Sequence, residues 1–321
     1  MVTTARSPSC VTETRLMCYP FVHSAECGRI HVTKQSFDWY MVKIPNSCSD
    51  RRRGRISPVM HFFDHRQLVS APGGFTGICT AGAGVRIFGG HSLSHSLNVA
   101  SLAIDHSRTV SSLHAVFLSP GNASEPVLFS AEPLKRGRAL DTVRVGAVQD
   151  ERQILESLVT FHDGEESIEF QAVAPETIPA EALSDDPLHR HSGSDARSPF
   201  HCRTVPSDPR EPQVRTWIRL REAAGDAPSL LHQAALTYAL DFLITKAAHN
   251  PIDEEGVRHL GASLDHAMWF HRRFRVDEWL LVEATSNTFA GSRSLSHASV
   301  YDHAGRLVSS ASQEALLRRT I

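Results

Sequence analysis

The 321-residue chain lacks a charge imbalance, a long apolar run and any paired-cysteine motif, and each absence removes a class of function. Its net charge is −2 at pH 7, so no bulk electrostatic term favours DNA, RNA or an anionic membrane surface. The one basic run, Arg51-Arg52-Arg53-Gly54-Arg55, sits among polar residues and reads as a solvated linker. No stretch approaches the roughly 20 apolar residues that cross a bilayer, so no membrane span is expected. The first residues lack a charged start followed by a clean apolar core, so export is not expected. The expected location is intracellular and cytoplasmic, with peroxisome and mitochondrion as alternatives; Arg318-Arg319-Thr320-Ile321 is not a Ser-Lys-Leu type address.

Catalytic and cofactor signatures are missing as well. None of the six cysteines forms a Cys-x-x-Cys pair, which argues against a zinc clip or a dithiol redox site. His91 and His95 have the spacing of two ligands on one helix face, but the Glu of His-Glu-x-x-His is missing and no third ligand is evident. Gly82-Ala83-Gly84 lacks the glycine spacing of a dinucleotide fingerprint. No serine occupies a Gly-x-Ser-x-Gly elbow, and no serine or cysteine stands beside an obvious base in the sequence, so catalysis through a covalent serine or cysteine intermediate is not favoured. Neither metal nor cofactor is expected.

What is present is a pattern that occurs twice. Residues 1–55 are rich in Ser, Thr, Arg and Cys without a period and are expected to be a poorly ordered extension. Phe88–Ile104 then carries Leu93, Leu97, Ala100 and Ile104 at helical spacing behind Gly89-Gly90, which predicts a helix with one buried face. Strand-like runs follow at Ser112–Leu118, Val127–Val148 with a kink near Gly137, and Ile154–Phe161. A segment rich in Pro, Ser, Asp and His, 172–212, reads as a linker. Beyond it the pattern restarts, with a strand at Val214–Arg219, a helix from Ser229 to about Ala247, and strands at Ala262–Phe270, Glu278–Tyr301 with a break near Gly291, and Leu307–Leu317. Two halves, 56–171 and 213–321, are therefore expected. In each, an apolar helix is covered by an antiparallel sheet, and joining the two sheets removes an exposed edge.

In the second helix Asp241 follows Tyr238 by three residues and Ala234 by seven, so helical spacing sets a carboxylate on the apolar face. Downstream, Ser263 and Asp265 interrupt an apolar, aromatic-rich run, SLDHAMWFHR.

Taken in order, several motifs resemble the type II acyl-CoA thioesterase family, the TesB-like enzymes and their peroxisomal relatives. They are Phe88-Gly89-Gly90, Ser112–Gly121, the Gly137-Arg138 turn, Tyr238-Ala239-Leu240-Asp241, Leu264–His271 and Gln313-Glu314, within roughly Phe75 to Arg318. The resemblance implies an α+β double hotdog fold with one continuous sheet, an acyl-CoA substrate, and self-assembly through sheet edges or helices. It also implies a catalytic trio of Asp241, Ser263 and Gln313. His91 stands where the family commonly has Gln, Leu240 where it often has Ser, and Leu140 where Phe is frequent, so Leu140 is expected to reshape the acyl pocket.

The trio suits thioester hydrolysis. A thioester carbonyl is electrophilic and its thiolate leaves readily, so an oriented water, a base and oxyanion donors suffice. Asp241 can take a proton from the water, Ser263 can hold it, and the Gln313 amide can orient it. Oxyanion donors are expected from backbone N–H groups at Gly89-Gly90 or at the Ser229 helix start. Asp265 and His266 are expected to brace the strand or the joint between halves, and Trp269 and Phe270 to be core or acyl-tunnel wall. Two other functions compete, a non-catalytic acyl-CoA-binding protein and a hotdog enoyl-thioester hydratase. One catalytic centre per chain, built mainly by the second half, is expected.

Overall fold

The computed structural model describes residues 62–82, 84–104, 108–187, 196–252 and 258–320, within the unit Arg53–Ile321. The expected extension 1–55 lies outside them. In the first half, short strands β1 (Val69–Ala71) and β2 (Gly74–Gly77) precede helix α1 (Gly89–Leu102) and strands β3 (Val110–Phe117), β4 (Val127–Arg136), β5 (Leu140–Gln149) and β6 (Arg152–His162). The second half repeats this order. It runs through β7 (Phe200–Thr204), β8 (Gln213–Leu220), α2 (Ser229–Leu243), a short α3 (Lys246–His249), β9 (Arg258–Ser263), β10 (Asp265–Phe270), β11 (Leu280–Ala290), β12 (Arg293–Tyr301) and β13 (Leu307–Thr320).

All the described strands join one antiparallel sheet in the order β1-β2-β4-β5-β6-β3-β10-β13-β12-β11-β8-β7, with β9 also on β13. This order reads as a mirror about the β3–β10 joint, where Leu113 faces Met268 and Val116 faces Asp265. It is the two-helix, one-sheet arrangement of a double hotdog. Period-2 burial decides which face turns inward: Val143, Val145 and Ala147 on β5, and Val214, Thr216, Ile218 and Leu220 on β8. On β13 the same alternation turns Ser309, Ala311, Gln313, Ala315 and Leu317 inward.

Three expectations change. The linker 172–212 contributes strand β7, whose Phe200 and Cys202 are buried, because β7 pairs with β8 and closes that end of the sheet. Its period was too short to stand out among the prolines and serines. Helix α1 buries nearly every face, including His91, Ser92, Ser94, His95, Ser96 and Asn98, because sheet and second helix together enclose it. Its polar groups are partly satisfied locally: the hydroxyls of Ser96 and Ser101 donate to the carbonyls of Ser92 and Asn98, and Asn98 donates to the Phe63 carbonyl. Finally, the run expected as one strand, Ala262–Phe270, breaks at Leu264 into β9 and β10.

The helices cross into each other's territory. Phe88, just before α1, belongs to the core of the second half, and Leu230 at the start of α2 packs on the core of the first. Tyr238 sits among the rings of Phe62, Phe63 and Phe88 with centroids 4.8–5.4 Å away. The α1–α2 contact is so close that a Cβ on Gly90 would lie 2.4 Å from the Tyr238 carbonyl oxygen, and one on Gly89 2.9 Å from Asp241 Oδ2. Only glycine allows this approach, which places the start of α1 against a carboxylate near the end of α2.

Candidate active site

Four elements meet at that carboxylate. Asp241, 6% exposed on α2, accepts on Oδ2 from the Gly90 N–H at 2.8 Å. Its Oδ1 accepts from Ser263 Oγ at 2.9 Å and from Gln313 Nε2 at 2.9 Å. Gln313 Nε2 also donates to Ser263 Oγ at 2.7 Å. Residue Phe88, which precedes α1, gives that helix no side-chain cap, so Asp241 supplies from the other helix the acceptor and negative charge that a helix N-terminus favours.

A β-bulge turns Ser263 toward this cluster. Ser263 pairs with Ala315, whereas Ala267 pairs with Ser312, so Leu264 and Asp265 together oppose Glu314. Without the extra residue, strict alternation would turn Leu264 inward with His266 and Met268; with it, Ser263 takes that phase. Three bonds hold the bulge. Leu264 N–H donates to the Glu314 carbonyl at 2.9 Å and Phe117 N–H to the Leu264 carbonyl at 2.9 Å, while Glu314 N–H donates to Asp265 Oδ1 at 2.8 Å. Asp265 thus occupies a bracing role, away from the carboxylate it resembles.

Asp241 and Ser263 line a cavity of about 450 Å³ together with Gly89, Ser92, Phe117, Leu155 and other residues from both halves. Gln313 lies behind them, 1% exposed. Gly89 opens α1 on the cavity wall, and its N–H precedes any intrahelical acceptor, so it is available to an oxyanion. The start of α2 instead lines a smaller cavity of about 170 Å³ with Val110, Gln233 and Phe270, at the mirror-related end of the joint. The residue that matches Asp241 by helix position is Ser101, which carries no base and does not line that cavity.

Other expected residues fall elsewhere. Trp269 is exposed on the outer sheet face, edge-on to His114 with centroids 5.2 Å apart, and Phe270 lines the smaller cavity; neither walls the cavity at Asp241. Leu140 is exposed at the start of β5 and lines neither cavity, so it does not shape this pocket. Leu240 is fully buried core. His91 Nδ1 accepts from the Thr80 N–H at 2.7 Å, and its ring packs at a tilt against Phe62 and His95 with centroids 4.3 and 4.5 Å away. Burial, aided by His95, holds its pKa well below the usual histidine range, and burial lowers that of His95 to about 4. No group of three or more metal-ligating residues occurs among the described residues.

Two chemical alternatives lose support from the geometry. Burial pushes the thiols of Cys79 and Cys202 up to about 12, which leaves them protonated and poor nucleophiles at neutral pH. His266 has no exposed surface and does not line the cavity, so it cannot serve as the substrate-facing histidine of a hydratase. One expectation is revised the other way. The sequence places no base beside a serine, yet the fold sets Ser263 Oγ within hydrogen-bonding distance of Asp241. The Gly90 contact was missed, though Gly89-Gly90 was itself the available signal, whereas Asp265 braces the strand as expected.

Comparison with known proteins gives the family. Residues 80–162 match the family model "Acyl-CoA thioesterase N-terminal domain" and residues 174–317 match "Acyl-CoA thioesterase C-terminal domain". Human acyl-coenzyme A thioesterase 8 is 28% identical over 73% of this chain and 81% of its own length. Acyl-CoA thioesterase 2 of Haemophilus influenzae is 27% identical over 73% and 88%. The crystal structure of acyl-CoA thioesterase II TesB2 from Mycobacterium marinum superposes with a TM-score of 0.70 at 32% identity, over 82% of this chain and 98% of that one. With both halves matched in order and the fold shared throughout, the chain belongs to the type II, TesB-like acyl-CoA thioesterase family.

Proposed function

We propose that the chain hydrolyses acyl-CoA to a free carboxylic acid and CoA, with Asp241 as general base, Ser263 and Gln313 as partners of the attacking water, and Gly89 N–H as an oxyanion donor. The convergence of three side chains from α2, β9 and β13 on one cavity wall carries this reading. A carboxylate offers about four acceptor positions and Asp241 uses three, which leaves one for a proton of the water. The water oxygen attacks the carbonyl carbon as that proton passes to Asp241. The tetrahedral oxyanion then collapses, breaks the C–S bond and releases CoA thiolate, which takes up the proton. In the same reading, halves 56–171 and 213–321 are the two repeats, and the second supplies the acid–base chemistry.

Direct contact between Ser263 and Asp241 supports a second reading, in which Ser263 Oγ itself attacks. The Gln313 bond to Ser263 Oγ favours water, because it occupies one of the two lone pairs that a nucleophilic hydroxyl would turn to the carbonyl. Intact-mass measurement of enzyme quenched during turnover separates them: the water mechanism gives no acyl adduct, and Ser263→Ala keeps measurable activity. An adduct mapped to Ser263 would establish the covalent route.

A further inference from the structure

Gln313 can present its amide in two ways, and the choice decides whether the site works. With Nε2 toward Asp241 and Ser263, both oxygens receive a proton. Reversed, the amide oxygen would face the carboxylate oxygen, acceptor against acceptor. Something must hold the first orientation, and on the far side of the amide stands His266, whose Nδ1 lies 3.0 Å from Gln313 Oε1.

An amide oxygen can only accept, so His266 Nδ1 carries the proton. The other ring nitrogen, Nε2, is buried without a partner and is therefore the bare lone pair of a neutral ring. Burial lowers the His266 pKa more than the charges of Asp241 and Asp265 and the Gln313 bond raise it, which keeps the ring neutral. A neutral imidazole has one N–H, and its position dictates which end of the amide it can satisfy. The ring reaches neither cavity, so any effect on the reaction passes through Gln313.

We propose that His266 is a positioning residue for hydrolysis: its Nδ1–H fixes the Gln313 amide with the NH₂ group toward Asp241 and Ser263. This rests on the reading of those three residues as the hydrolytic centre. It gives a function to the histidine of the Asp265-His266 pair, while Asp265 holds the neighbouring backbone at Glu314. The two residues thus secure the side chain and the strand of the same glutamine.

The test uses the full-length chain and thiol release from a short-chain acyl-CoA. His266→Leu removes the donor and is expected to lower kcat by at least about 30-fold with KM within about two-fold. His266→Asn offers an amide N–H near the Nδ1 position and is expected to recover to within about five-fold of the unmodified protein. In a Gln313→Leu background, His266→Leu should cost less than about two-fold more, because its route to the reaction is already cut. Long-range ¹H–¹⁵N spectra of the unmodified protein should show His266 as the Nδ1–H tautomer, a readout independent of activity and of whether His266→Leu folds. An Nε2–H tautomer, additive losses, or an inactive His266→Asn that melts like the unmodified protein would each overturn the proposal. If the unmodified protein released no thiol, the hydrolytic reading would fail by itself, and the tautomer would still decide the state of His266.

Discussion

The Gly90 N–H at the start of α1 and the Asp241 carboxylate near the end of α2 meet at 2.8 Å, although 151 positions separate them in the chain. One contact therefore serves both fold and chemistry. It satisfies a helix N-terminus and fixes a carboxylate at the cavity wall, so the two halves cannot shift against each other without moving the proposed base.

Gly90→Ala tests that coupling. The added methyl would stand 2.4 Å from the Tyr238 carbonyl oxygen and 2.6 Å from the Phe88 ring, and a helix backbone cannot yield cheaply. Overpacking of this kind costs about 1–3 kcal/mol. We expect a melting temperature several degrees lower, and reduced kcat at temperatures where the variant is still folded. Unchanged melting and turnover would show that the helices have room the structure denies.

Asp265→Ala tests the bulge. The carboxylate is exposed and accepts the Glu314 N–H at 2.8 Å, so its loss should cost only about 1 kcal/mol of stability. The larger effect is expected in kcat, a fall of about three- to ten-fold as Ser263 loses its fixed phase, with recovery in Asp265→Asn, which keeps an acceptor. Asp265→Ala kinetics identical to those of the unmodified protein would remove the bulge from the account.

Legibility in the sequence followed the range of the interactions. Both helices were readable because their signals lie within a few residues, although the second ends at Leu243 rather than near Ala247. The runs read as strands with a kink near Gly137 and a break near Gly291 are hairpins that turn there. Asp241 stood out as a carboxylate on an apolar helix face. Gln313 did not, since the small residues around it on β13 give no sign of what they face, and only the family resemblance singled it out. The bulge at Leu264 was hidden because period-2 alternation runs across it unmarked. Helix α1 looked half-exposed from Ser92, Ser94 and Ser96, because its enclosure depends on a sheet drawn from both halves. Helix positions match Asp241 to Ser101 in the first half, and α3 and the turn after it lengthen the second half between helix and strands.

Acid should destabilise the fold in a defined window. The His95 pKa falls from 6.5 to about 4 through burial, against the pull of the Ile78 carbonyl, and His91 shifts the same way through burial and His95. An unfolded histidine binds its proton near 6.5 while the folded one resists, so this stability is present above 6.5 and is lost as pH falls toward 4. At about 1.4 kcal/mol per unit, His95 alone accounts for up to about 3 kcal/mol. The paired aspartates Asp64, Asp185, Asp277 and Asp302 have pKa values lowered from 3.8, each by its arginine or backbone donors against the opposing effect of burial. Their contribution is lost below that window. Urea midpoints should drop between pH 7 and 4.5, and drop less in His95→Gln. Equal drops would assign the acid sensitivity elsewhere.

The most direct measurement is thiol release across a panel of acyl-CoA chain lengths, comparing the unmodified protein with Asp241→Ala and checking both by circular dichroism. The account predicts turnover for at least one chain length in the unmodified protein. It predicts a loss of about 10³-fold or more in Asp241→Ala, with the folded spectrum retained. Turnover by a folded Asp241→Ala variant at a rate near that of the unmodified protein would contradict it.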